Sequence, residues 1–167
     1  NMQKTDLLAP EKYNITSAIE QYATDATKKA IIYKDSEHDH IEVTYQELIK
    51  NANIVGNIFK KHGLKHGDKV LIMMPRAIAT YELYIAALKL GIAIIPSSEM
   101  LRTKDLQYRV SHGEIDAVIS FGKFIKEFEG LKEYQNLTKF IVGDTHPDWI
   151  SIEEEKPNAS DELEVTD

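Results

Sequence analysis

The chain has 167 residues, 43% hydrophobic and 28% charged, which is enough for one domain with a real core and ordinary for a globular protein. Its formal net charge is −7, of which residues 151–167 carry −6; the first 150 residues hold only −1, so nucleic acid is not an expected partner. No cysteine is present, which excludes disulfides, thiolate metal sites and a cysteine nucleophile, and no apolar run is long enough to span a bilayer. A cytoplasmic location is the expectation.

In chain order, a first helix is expected over Ile15–Ala23. Ala30–Tyr33 and His40–Val43 read as short strands joined by the polar turn Lys34–Asp39. The Asp35–His40 cluster holds ligand-type residues, but all are local, so a solvated turn outweighs a metal site. Thr44 and Glu47 have the spacing of a capping box that opens a long helix. Tyr45, Leu48, Ile49, Ala52, Val55, Ile58 and Phe59 recur at helical spacing as its buried face, and Gly63 ends it.

Gly67-Asp68 turns the chain into a buried strand, Lys69–Met74, which stops at Pro75. The next helix, Ala77–Leu90, is apolar almost all round and so must be covered on more than one side. Tyr81 and Tyr84 on it read as core packing rather than a stacking platform. Gly91 ends the helix, and a second buried strand, Ile92–Ile95, runs into Pro96. Strand, helix and strand with tight joints make a parallel crossover, so the fold class is α/β: a mostly parallel sheet with flanking helices.

Thr103 is expected to cap a further helix to His112, which Gly113 terminates. Ala117–Ser120 and Phe140–Val142 read as buried strands, with a short amphipathic helix near Lys123–Phe128 between them. After Trp149 the dense like charge predicts a linker or frayed end.

Few constellations carry chemistry. The eight glycines stand at 56, 63, 67, 91, 113, 122, 130 and 143, no two closer than four residues. Neither a dinucleotide fingerprint nor a P-loop fits that spacing, so nothing here cradles a triphosphate. His62 and His66 are four apart, but Gly63 and Gly67 interrupt the helix that would pair them as ligands. No serine stands in a nucleophile elbow.

The joints taken together carry a resemblance. Thr44-Tyr45-Gln46-Glu47-Leu48 is followed by Gly63-Leu64-Lys65-His66-Gly67-Asp68-Lys69-Val70 and by Met73-Met74-Pro75-Arg76. Gly91-Ile92-Ala93-Ile94-Ile95-Pro96 and Lys104-Asp105-Leu106-Gln107-Tyr108-Arg109 complete the series. Over about residues 13–145 it resembles the N-terminal region of the acyl-adenylate-forming superfamily. It is most similar to the acyl-CoA synthetases for acetate and for short-, medium- or branched-chain fatty acids. One departure is Glu82, which falls later than the family's glutamate, where Ala79 or Thr80 stands here.

The resemblance implies an N-terminal α/β subdomain over residues 13–150 of an adenylate-forming enzyme. Residues 151–167 would be an acidic linker leading to a phosphate loop outside this chain. It implies a ligase that turns a small carboxylic acid and ATP into an acyl-adenylate and pyrophosphate, then passes the acyl group to CoA. ATP, Mg²⁺ and CoA belong to that full-length enzyme; the rest of the same polypeptide is the expected partner. The fragment is expected to hold none of these tightly and to be inactive, because no catalytic residue of the family is matched in it. The CoA-contact candidates are Ser97, Ser98, Glu99 and Met100 for the pantetheine tunnel, with Lys123 or Lys126 for the CoA phosphates. The alternatives are the adenylation domain of another adenylate-forming ligase and a non-enzymatic α/β interaction module.

Overall fold

The computed structural model describes residues 28–33, 40–74 and 78–165. The expected helix Ile15–Ala23, the turn Lys34–Asp39 with most of its acidic and histidine cluster, and the joint Pro75–Ala77 lie outside the described residues.

Strands β1 (Lys29–Tyr33) and β2 (His40–Thr44) pair antiparallel as a separate two-stranded ribbon. Helix α1 (Tyr45–Lys61) follows directly. The Thr44 hydroxyl accepts from the Glu47 amide at 3.1 Å, one half of the expected capping box. Past the helix end at Lys61, the Leu64 amide donates to the Phe59 carbonyl at 3.0 Å and the Gly63 amide to Lys60 at 3.1 Å. This reversal needs the left-handed φ of +89° at Gly63, which a side chain would strain.

The core is a five-stranded parallel sheet in the order β4-β3-β5-β6-β7. Its strands are β3 (Lys69–Met73), β4 (Ala93–Pro96), β5 (Ala117–Phe121), β6 (Thr138–Val142) and β7 (Ile150–Ser151). Helices α2 (Ile78–Leu90) and α3 (Thr103–His112) return the chain over its faces, with the short helices α4 (Lys126–Glu129) and α5 (Ile152–Glu155). Alternate residues of each strand feed opposite faces. Val70, Ile72, Ala117, Ile119, Phe140 and Val142 pack with α1 and α2, while Leu71, Met73, Val118 and Ile141 pack with α3 and α4.

The all-round apolar α2 is covered twice, as its sequence requires. Leu83, Ala86 and Ala87 face the sheet, and Ile85 packs against Leu48, Ile49 and Ala52 of α1. Each such buried aliphatic side chain contributes roughly 1.5–3 kcal/mol. Tyr81 and Leu88 stay partly exposed, so Tyr81 is not the core residue its spacing implied.

Three further expectations are corrected. The strand after Gly91 is β4 at the sheet edge, half-exposed rather than buried, because only β3 pairs with it. Thr103 is the first helical residue rather than a cap, since its hydroxyl donates to the Glu127 carbonyl at 2.9 Å. The segment after Trp149 is not a free linker or frayed end: Ile150 and Ser151 add β7 to the sheet, and α5 returns Ile152 to the core. The expected helix near Lys123–Phe128 divides into a 3₁₀ turn at Gly122–Phe124 and α4. No described helix is long and apolar enough to cross a membrane.

Charge fastens the returning segment. Glu155 accepts from His62 at 2.8 Å and pairs with Lys61 at 3.1 Å, and Lys156 reaches the buried Glu82 at 3.4 Å. Burial opposes ionisation of Glu155, but the contacts from His62 and Lys61 outweigh it and hold its carboxyl below the ordinary range. Burial pushes the Glu82 carboxyl up, against the pull of Lys156. The two therefore act on stability with opposite signs. Glu155 contributes stability present above the ordinary glutamate value of about 4.3 and lost as pH falls through its depressed one. Glu82 binds its proton more tightly when folded, so its contribution is present below about 4.3 and lost as pH rises through its raised value. In urea denaturation across pH, Glu82→Gln should gain on the parent as pH rises from about 4.3 through the raised value of Glu82. Glu155→Gln should trail the parent above a pH of about 4.3 and draw level with it as pH falls through the depressed value of Glu155.

Candidate functional site

In an open parallel sheet, ligands collect outside the carboxyl ends of the strands, where successive connections depart in opposite directions. Here β3 leads to β4 on one side, and the chain then crosses back to β5 on the other. The switch point thus lies between β3 and β5, at Met73 and Ser120 of their register. Both groups of sequence candidates occupy this edge: Ser97, Ser98, Glu99 and Met100 follow β4, and Lys123 and Lys126 follow β5.

The first loop is built tightly. The Ser97 amide donates to Ile72 O at 2.8 Å, carrying the β3–β4 ladder one residue past the strand. The Ser98 hydroxyl accepts from the Met100 amide at 3.1 Å, and its carbonyl accepts from Leu101 at 3.1 Å. Arg102 then turns back and donates to the carbonyls of Met100 at 3.2 Å and Leu101 at 3.3 Å. The result leaves Ser98, Glu99 and Met100 exposed, with Met100 at 78%. The Ser97 hydroxyl is different: it is buried with no hydrogen-bond partner. An unmade hydrogen bond of this kind costs about 1–3 kcal/mol, so it marks a donor without its acceptor.

The second loop is tied to the first. The Thr103 amide donates to Glu127 Oε2 at 2.9 Å, its hydroxyl donates to the Glu127 carbonyl, and Arg102 Nε lies 3.9 Å from Glu127 Oε1. Glu127 sits between Lys126 and the buried Phe128, so it locks α4 against the start of α3. Lys126 is exposed, and Lys123, also exposed, lies 4.9 Å from the centre of the Phe124 ring. The fold thus brings the two candidate loops to one edge and bolts them together.

Sequence reasoning missed this bolt. Thr103 and Glu127 are ordinary residue types, and no spacing links residues 24 apart. It also missed a shallow groove of about 480 Å³ beside Met100, lined by Leu101, Lys104, Asp105, Tyr108 and Arg109. The helical spacing of Lys104 and Tyr108, with Arg109 next to it, was the available signal.

Among the described residues, no group of three or more His, Asp or Glu side chains could hold a metal ion. The left-handed glycines 63, 67, 91 and 143 stand singly, not in a phosphate-binding run.

The profile of the AMP-binding enzyme family matches residues 19–166. The chain belongs to that family. An uncharacterised acyl–CoA ligase of Bacillus subtilis, YtcI, is 33% identical over 151 residues, covering 90% of this chain and 28% of the relative. The 4-hydroxybutyrate–CoA ligase 1 of Metallosphaera sedula is 29% identical over 137 residues, 81% of this chain and 24% of that protein. Among solved structures, an anthranilate CoA ligase in complex with anthranoyl-AMP superposes with a TM-score of 0.80 at 20% identity, covering 99% of this chain and 31% of that one. The superposition shows the fold. The chain spans about a quarter of the length of these curated relatives.

The loop bolt is open to test. Glu127→Ala removes acceptors of the Thr103 amide and side-chain contacts of Arg102, and should cost about 1–3 kcal/mol in urea denaturation. Glu127→Gln keeps one acceptor oxygen and should recover about half of that loss.

Proposed function

We propose that this chain is the N-terminal part of an acyl-CoA ligase, an acid–thiol ligase acting in the cytoplasm. The reaction joins a small carboxylic acid to ATP, releasing pyrophosphate and forming an acyl-adenylate; the CoA thiol then displaces AMP. The observation that carries the reading is the pair of bolted loops at the switch point, which bear the CoA candidates and the unpartnered Ser97 hydroxyl in a chain of the AMP-binding family. The acyl–CoA ligase names of its relatives favour CoA as acceptor over the carrier of a peptide-synthetase adenylation domain.

In this reading the residues present bind and orient; they do not perform the chemistry. The Ser97 hydroxyl donates to a pantetheine amide carbonyl that reaches the edge, which relieves its unmade bond. Met100 and the loop backbone flank the pantetheine chain, and Glu99 stays at the solvent side. Lys123 and Lys126 face the CoA phosphates as flexible cations suited to a strongly hydrated anion. ATP and Mg²⁺ supply the leaving group and charge neutralisation for acid activation, on residues that the family carries elsewhere in its length. The 167-residue chain is accordingly inactive by itself.

Pyrophosphate exchange tests this. The full-length gene product should exchange labelled pyrophosphate into ATP in the presence of a short- or medium-chain acid, and the 167-residue chain should not. Exchange by the short chain would overturn the division of labour. Lys126→Ala in the full-length protein should raise KM for CoA roughly 3- to 10-fold, as an exposed charge contact of about 1 kcal/mol implies. The exchange rate, which needs no CoA, should stay unchanged. An unaltered KM for CoA would remove Lys126 from the site.

A further inference from the structure

Residues 160–164 run along α1, with a bend at Asp161 where the Ser160 hydroxyl accepts from the Glu162 amide at 3.0 Å, and the way they are held is unusual. The Asn57 side-chain amide donates to the main-chain carbonyls of Ser160 and Glu162, both at 2.9 Å. Asn53 donates to the carbonyl of Asp161 at 3.1 Å, and Lys60 to that of Glu164 at 3.0 Å. Four carbonyls within five residues are thereby taken by side chains at helical spacing on one face of α1. The remaining residue, Leu163, lays its side chain over Gly56 in the same stripe, where an added Cβ would come within 2.6 Å of it. Lys89 of α2 donates to Asn53 Oδ1 at 2.8 Å, which fixes the Asn53 amide so that its nitrogen faces the tail.

The acidic side chains do little of this work. Lys50 and Asp161 approach to 3.9 Å with both side chains at least half exposed, a contact that salt screens. The stripe reads backbone, not charge. We infer that Asn53, Gly56, Asn57 and Lys60 form a docking track that positions the polypeptide of residues 160–164, and through it the segment that follows in the full-length ligase.

The direction of the track gives it a purpose. Asp161 meets Asn53 and Glu164 meets Lys60, so the tail runs the same way as α1. Helix α1 leads through Gly67-Asp68 into the start of β3, so the track carries the chain toward the edge where the strands begin. An element starting there and running parallel to the sheet ends at the carboxyl edge, where Ser97 and Lys123 stand. The track thus sets the register in which a following loop reaches the candidate site. The docking itself is independent of the proposed function; its positioning role rests on that reading.

Both parts can be tested on the full-length gene product. Asn57→Ala removes two of the four hydrogen bonds, and adding Gly56→Ala displaces Leu163. Alanine at both positions raises helix propensity, so release of the tail is separable from unfolding of α1. With a glutamate-specific protease, initial cleavage after Glu162 and Glu164 should rise at least about 10-fold in the double variant. Cleavage after Glu99 should stay unchanged. In the parent, protection at Glu162 and Glu164 should persist between low salt and about 1 M sodium chloride. Unchanged cleavage in the double variant, or loss of parental protection with salt, overturns the track.

In the same preparation, kcat for ATP–pyrophosphate exchange should fall roughly 10-fold, as misplacement of a reacting group does, with the thermal midpoint unchanged. Undiminished kcat with the tail released overturns the positioning role. A parent without exchange sinks the ligase reading and the positioning role with it, while the cleavage result still decides the track.

Discussion

Parallel strands cannot be joined by tight hairpins; each must be followed by a crossover that covers a face of the sheet. The layered core and the edge that carries the candidate site follow from that constraint. It forces two hydrophobic layers, one under α1 and α2 and one under α3 and α4, and so makes the strands nearly continuous apolar runs. It also brings the ends of β3, β4 and β5 to one edge with their loops side by side. The candidate site exists because the connections reverse direction there, not because any one motif specifies it.

A scaffold of this kind needs its loops fixed by contacts between connections. The Thr103–Glu127 bolt does this at the carboxyl edge, and the contacts of Glu155, Lys156 and the tail do it over α1 and α2. The two sets differ in chemistry. The edge bolt uses a hydroxyl, an amide and a carboxylate, whereas the tail is held by buried or half-buried charge at one end and by backbone carbonyls at the other. Residues 160–164 of the chain's most acidic segment are therefore held largely by contacts indifferent to their acidity. That arrangement suits a segment whose course matters more than its side chains.

Membership of the AMP-binding family and the fold agree with each other. In the proposed division of labour, the chain contributes a sheet edge with donors and cations. Among the described residues, the buried Ser97 hydroxyl leaves a hydrogen bond unmade at that edge.

The sequence by itself determined the elements whose cause is local. The three- and four-residue spacing from Leu48 to Phe59 specified α1, and Gly63 and Gly91 specified the helix ends. The run Lys69–Met74 specified a buried strand, observed over Lys69–Met73, and the apolar girth of α2 required two coverings. The tertiary structure alone decided what depends on a distant partner. Strand order made β4 an edge rather than a buried strand, because burial belongs to neighbours and not to Ile94 or Ile95 themselves. Glu127 took the Thr103 hydroxyl away from its expected capping role, and β6 recruited Ile150 and Ser151 from a segment whose charge density pointed to disorder. Charge patterning predicts solvation only while nothing pairs the backbone. Asn53 and Asn57, polar residues with no message in their own window, supply that pairing from more than a hundred residues away.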